Sequence, residues 1–312
     1  PEEIPDLGDR PELPSDLAAH ERAQLIAYQA AARITRDPEE ARSRAERALE
    51  IDPNCIDAFL CLAQVEYLSG DDPLALRQKA LEAATARLER GVPHYRFGID
   101  DLWPMSPANR CIVRAHGATA LSLWDHGDHA EAVRLAERTI ALNPTDNMGI
   151  RWDLVNWYLI EQASGKAYKL LRRYSGERVA PSLFAGALVE FLRSGPGNKA
   201  LRALLDAAEH NAGLLSQAVR CERRPPECPP EVDTFVPGEA TEVVFWQALL
   251  WDAWHQYPEA IEWAHECLGR PEFMDASLSA LVRLAGQVGA QAGSSAESIL
   301  LDALDEIVDD DR

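Results

Sequence analysis

The segment EARSRAERALEIDPN, residues 40–54, returns further along the chain as EAVRLAERTIALNPTDN, residues 131–147. In both copies alanine stands at i and i+4, Leu or Ile at i+8, and proline four residues later: Ala41, Ala45, Leu49 and Pro53 against Ala132, Ala136, Ile140 and Pro144. This spacing describes one stripe of a helix, and the proline ends that helix because it lacks an N–H and clashes with the preceding turn. Small residues on the stripe let a neighbouring helix approach closely. A chain that repeats such a unit folds by stacking, each copy covering the apolar face of the one before. The predicted fold class is therefore all-α, a solenoid of antiparallel helix pairs.

The punctuation between helices sets the boundaries. The first pair is predicted over 18–35 and 38–51, where Asp37 caps the free amides, Pro38 is preset for the first turn and Glu40 is placed to reach back to the cap. The second pair spans 56–68 and 73–90, with Gly70 as the left-handed stop and Asp72-Pro73 as the restart. The third spans 109–126 and 129–142, with Gly127 and the box Asp128…Glu131 repeating that grammar. Further helices are predicted at 147–163, 166–174, 181–194, 198–211, 239–256, 258–268, 272–285 and 294–308. No period-two apolar run of strand length interrupts them.

Composition divides the chain further. Residues 1–17 are rich in proline and acids and read as a flexible lead; 18–221 hold the repeats, with an insertion at 91–108 (GVPHYRFGIDDLWPMSPA). Residues 222–238 carry five prolines, too many for a helix, and read as an extended crossing before the C-terminal helical repeats and cap of 239–312. The start has neither a basic nor an apolar region of signal-peptide type, and nowhere do some 18 uncharged apolar residues run together, so a soluble cytoplasmic protein without a membrane partner is expected. A net charge of -20 opposes binding to phosphate backbones, and the arginine groups Arg172, Arg173, Arg178 and Arg220, Arg223, Arg224 are diluted by acids; no nucleic-acid partner is expected.

These repeats resemble the tetratricopeptide family, whose helix pair has small residues where Ala41, Ala75 and Ala132 stand and a glycine between its helices where Gly70 and Gly127 stand. The resemblance covers 18–90 and 110–174, with later pairs as degenerate copies, and it implies a right-handed solenoid of about five to seven pairs. More narrowly, LNPTDNMGIRWDLVNWYL (142–159), SLFAGALVEFLRSGPGNKALRALLDAAEHN (182–211) and the Pro-rich segment before VVFWQALLWDAWHQYPEAIEW (243–263) look like bacterial repeat proteins related to the suppressor-of-tumorigenicity 7 family. That group supplies no catalytic residues to carry over, and the function it implies is protein–protein interaction.

In a helix-pair solenoid the first helix of each pair lines the concave surface. Alignment on Gly70 and Gly127 places Tyr67, Trp124 and Tyr158 at one groove position and Leu60, Gly117 and Arg151 at another, with Asn147 nearby. Tyr67, Trp124, Arg151, Tyr158, Leu60 and Asn147 are the candidate binding residues, because aromatic and Arg side chains bury large area and still hydrogen-bond. The competing reading is that the aromatics pack the repeat scaffold.

Chemistry-bearing patterns are sparse. His126 and His129 form an H-x-x-H across a helix end, and His255, His265 and Cys267 sit among tryptophans, but no metal or other cofactor is predicted at either place. Cys221 and Cys228 are placed to bridge only in an oxidising compartment. No nucleophile elbow, phosphate loop or zincin motif occurs. The expected function is a non-catalytic scaffold or adaptor that holds a peptide or protein segment in its groove. The alternatives are an enzyme or enzyme subunit with a site at the 91–108 insertion, and a homo-oligomer that self-associates through its C-terminal helices.

Overall fold

A computed structural model describes residues 18–273 other than 230, 231, 233 and 272. The described residues are helical throughout their regular structure, with no strand among them. They divide between Met148 and Gly149 into two compact units. The predicted segment 1–17 and the predicted helices 272–285 and 294–308 lie outside the described residues.

In the first unit α1 (Ala19–Ala31) packs on α2 (Pro38–Ile51), α3 (Ile56–Leu68) on α4 (Leu74–Glu89), and α6 (Arg110–Asp125) on α7 (His129–Leu142). Helices α2 and α3, and α4 and α6, pack between successive pairs. The reason lies in the alanine stripes. Ala41, Ala45 and Ala48 of α2 and Ala23, Ala27 and Ala30 of α1 are fully buried in one cluster with Cys61, Leu62 and Val65 of α3. Ala132 and Ala136 of α7 are likewise inaccessible to solvent. Gly70 and Gly127 both take the left-handed conformation, with φ of 82° and 81°, that ends the first helix of a pair.

The caps follow the sequence in part. Asp37 Oδ1 accepts the Glu40 N–H at 3.0 Å, and Asp128 Oδ1 accepts that of Glu131 at 3.4 Å. Glu40 does not reach back to its cap as expected; its carboxylate pairs with Arg44, and that of Glu131 pairs with Arg134. An arginine one turn on offers a charge-assisted bond, which outcompetes a neutral backbone N–H. The 91–108 insertion also holds more structure than its turn formers foretold: a short helix α5 (Leu102–Met105) and a 3₁₀ turn at Pro107–Asn109. Asp101 anchors it, accepting from Trp103 N–H, Asn143 Nδ2 and Thr145 N–H.

In the second unit α8 (Ile150–Ile160) packs on α9 (Ser164–Arg173) and α10 (Ala180–Ser194) on α11 (Asn198–His210). Helix α8 begins three residues later than predicted. Gly149 precedes it at φ 77°, and a Cβ there would meet the Trp152 ring at 2.8 Å, so only glycine fits that turn. After α11 come a one-turn α12 (Ala212–Leu215) and a π turn at Ser216–Arg220, neither foreseen. Residues 221–229 carry no helix, and α13 (Ala240–Trp254) and α14 (Pro258–Leu268) follow.

Glu242 of α13 is the polar centre of this unit. It is fully buried and accepts from Ala180 N–H and Gly238 N–H, both at 2.8 Å, from Asn211 Nδ2 at 3.0 Å and from His210 Nε2 at 3.1 Å. One carboxylate thus ties together the start of α10, the end of α11 and the last turn before α13.

Candidate functional site

The first helices of the three pairs in the first unit, α1, α3 and α6, line a cleft of about 330 Å³. Tyr28 and Ala31 come from α1, Asp57, Leu60, Cys61 and Gln64 from α3, and Arg114 and Ala118 from α6, with Ile34, Arg77 and Met148 completing the wall. The spacing explains the convergence. Asp57, Leu60, Cys61 and Gln64 recur at i, i+3, i+4 and i+7, which is one helix face.

The floor of the cleft is ionic. Asp57, 6% exposed, receives Arg114 on one oxygen and Gln24 Nε2 on the other, and the Arg114 guanidinium lies 6.0 Å from the centre of the Tyr28 ring. Burial pushes the Asp57 carboxyl above the usual carboxylate range, and Arg114 opposes that rise. Arg77 of α4 reaches across to α6, donating to Ser122 Oγ at 2.6 Å and to the Ala118 carbonyl at 3.3 Å, with its guanidinium 5.7 Å from the Tyr67 ring centre. Met148 lies over Gly117, where a Cβ would meet its Cε at 2.8 Å. A cleft with apolar sides, two guanidinium groups and a buried carboxylate is suited to holding an amphipathic segment.

It is poorly suited to nucleophilic chemistry. Burial, with help from Asp57, pushes the Cys61 thiol up to about 12, so it is protonated at neutral pH. His116, buried on α6, is held neutral, its pKa lowered to about 4 by burial; Nδ1 faces the Ile112 carbonyl at 2.8 Å and Nε2 faces Arg138 Nε at 3.3 Å. Among the described residues no group of three or more His, Cys, Asp or Glu is placed to hold a metal ion. His126 turns to Asp72 and the Ser122 carbonyl, whereas His129 stacks on Trp124 at 3.9 Å. The six cysteines are thiols.

No family model matches the chain, and neither does any curated protein. The site therefore rests on the geometry of its own residues.

Of the six residues singled out from the sequence, Leu60 lines the cleft. Tyr67, Trp124 and Tyr158 each stand near the end of a first helix and pack against the second helix of the same pair. Tyr67 lies by Arg77, Trp124 on His129, and Tyr158 by Lys166, whose Nζ is 5.2 Å from the ring centre. Tyr158 is only 7% exposed. Arg151 makes a forked ion pair with Glu177, and its guanidinium lies 4.6 and 5.2 Å from the centres of the Trp152 and Tyr174 rings. Asn147 belongs to a turn network, its N–H donating to Asn143 Oδ1 at 2.8 Å and its Oδ1 accepting from Asn143 Nδ2 at 3.0 Å.

Sequence reasoning missed the pair of Asp57 and Arg114. The signal was present: the step that carries Gly70 onto Gly127 also carries Asp57 onto Arg114, so one repeat position holds opposite charges in successive copies. A second cleft, of about 280 Å³, opens in the second unit among α9, α10 and α11, with Ser182, Gly186 and Ala203 in its lining. Its rim carboxylates are engaged, Glu177 by Arg151, Glu190 by Arg193 and Asp206 by Arg178.

Proposed function

We propose that this chain is a non-catalytic scaffold that holds an extended segment of a partner protein in the concave cleft of its first unit. The observation that carries this reading is the cleft itself, lined by the first helices of three successive pairs and floored by the Asp57–Arg114 ion pair. The frame is a right-handed stack of about five to seven tetratricopeptide-like pairs, akin to bacterial repeat proteins of the suppressor-of-tumorigenicity 7 group, and its place of work is the cytoplasm. Cys61, the thiol on the cleft wall, is held protonated by burial, which suits it to apolar packing against a bound segment. Leu60, Tyr28 and Met148 supply apolar contact, and Gln64 and the arginines supply hydrogen bonds to the segment's backbone and side chains.

The test is a selection of random displayed peptides on the full chain, followed by calorimetric titration of those that bind. Leu60→Asp places a charge on the apolar wall and should weaken the selected peptides by about ten-fold or more, with the circular dichroism unchanged. Equal affinity for the folded variant removes the cleft from the account.

A further inference from the structure

Residues 221–229 lie against α13 in the manner of a docked peptide. Of residues 222–229 only Pro225 is buried; Glu222, Arg223, Arg224, Pro226, Glu227 and Pro229 are exposed. The polar contacts run from one side of α13. Trp251 Nε1–H donates to the Cys221 carbonyl at 2.9 Å, Gln247 Nε2 donates to the Pro226 carbonyl at 3.3 Å, and Asp252 grips Arg224 through Nε at 2.7 Å and Nη2 at 2.6 Å. Gln247, Trp251 and Asp252 stand at i, i+4 and i+5 and so share a face of the helix.

The chemistry of the two sides matches. A proline has no N–H, so a Pro-Pro segment presents carbonyl acceptors and little else along its backbone. The helix face answers with donors, an indole N–H and an amide, together with a carboxylate for the arginine, the combination by which aromatic-lined surfaces take proline-rich ligands. We propose that the Gln247, Trp251 and Asp252 face of α13 is a docking site for an arginine-led, proline-rich extended segment of a partner protein, and that residues 221–229 are its built-in occupant. This site lies in the second unit and does not depend on the cleft of the first. A tethered occupant competes at an effective concentration on the order of millimolar, so the partner gains the face when it presents its own segment densely or when the strap is released.

The probe is an N-acetylated synthetic peptide with the sequence of residues 222–227, which contains no cysteine and whose acetyl carbonyl stands in for that of Cys221. In the wild-type chain Cys221 and Cys228, at the ends of the strap, are half-buried, whereas the other four cysteines are buried. Displacement of the strap by about 5 mM peptide should speed thiol labelling of Cys221 and Cys228 by about three-fold or more. A peptide whose second arginine is replaced by alanine should leave the rate unchanged. In a second measurement the full chain carrying Arg224→Ala and Pro225→Ser should bind the fluorescently labelled peptide about ten-fold more tightly than wild type, and adding Asp252→Asn should abolish that gain. A labelling rate indifferent to the peptide overturns the proposal, as does a folded strap variant that binds the peptide no better than wild type. If the strap variant does not fold, the wild-type labelling decides alone.

Discussion

Glu242 joins three other segments of the second unit to α13, because four donors converge on it. Burial alone would raise its carboxyl, but His210, the Ala180 and Gly238 amides and Asn211 outweigh burial and hold it below its ordinary value of 4.5. A depressed folded-state value means that the stabilisation is complete above 4.5 and is lost as the pH falls from there through the folded value. Glu242→Gln should cost on the order of 3 kcal/mol at pH 7, and the gap from wild type should narrow below about pH 4.5. Urea unfolding of both proteins across pH 3.5–7.5 measures this; a gap that widens on acidification refutes the role given to the carboxylate. The Asp57–Arg114 pair makes an asymmetric prediction. Arg114→Met leaves a buried carboxyl without its cation and should cost roughly 3–5 kcal/mol. Asp57→Asn should cost less, since burial already favours the neutral form there. Thermal melts that rank the two variants the other way contradict this description of the cleft floor.

At the scale of elements, the alanine stripe determines how closely helices approach. Ala132 is inaccessible, so Ala132→Leu should force a close crossing apart and cost on the order of 1–3 kcal/mol in urea unfolding. An unchanged midpoint would mean that the stripe does not face a neighbour. The stripe is also why the helices were legible in sequence: small residues at i and i+4 and a proline stop mark α2 and α7 within a residue or two, whereas α4 runs on with Arg87 where the proline would stand. Four-residue helices such as α5 and α12 leave no such trace, because one turn is too short to display a period. The candidate site was legible only at Leu60. Tyr67 and Trp124 occupy a recurrent position, but recurrence alone does not say whether a ring faces a groove or its own partner helix, and here each packs on the latter. The Asp57–Arg114 pair escaped notice because charges on helices are ordinarily solvated, and nothing in either helix by itself marks these two as buried.

For the whole molecule, charge and architecture limit the partners. At a net charge of -20 the chain should show no submicromolar binding to duplex DNA or RNA in gel shifts at about 150 mM salt. No helix among the described residues is long and apolar enough to cross a membrane. The partner proposed above is a protein segment, held in the cleft of the first unit. Methionine offers a direct reporter, since the chain has three and Met148 lines that cleft, whereas Met105 sits on the insertion and does not. With methyl-labelled methionine, and with Met148 assigned through Met148→Leu, titration of a peptide selected on the full chain should shift the Met148 methyl resonance and leave that of Met105 in place. A peptide that binds the chain while the Met148 methyl does not move contradicts the central claim.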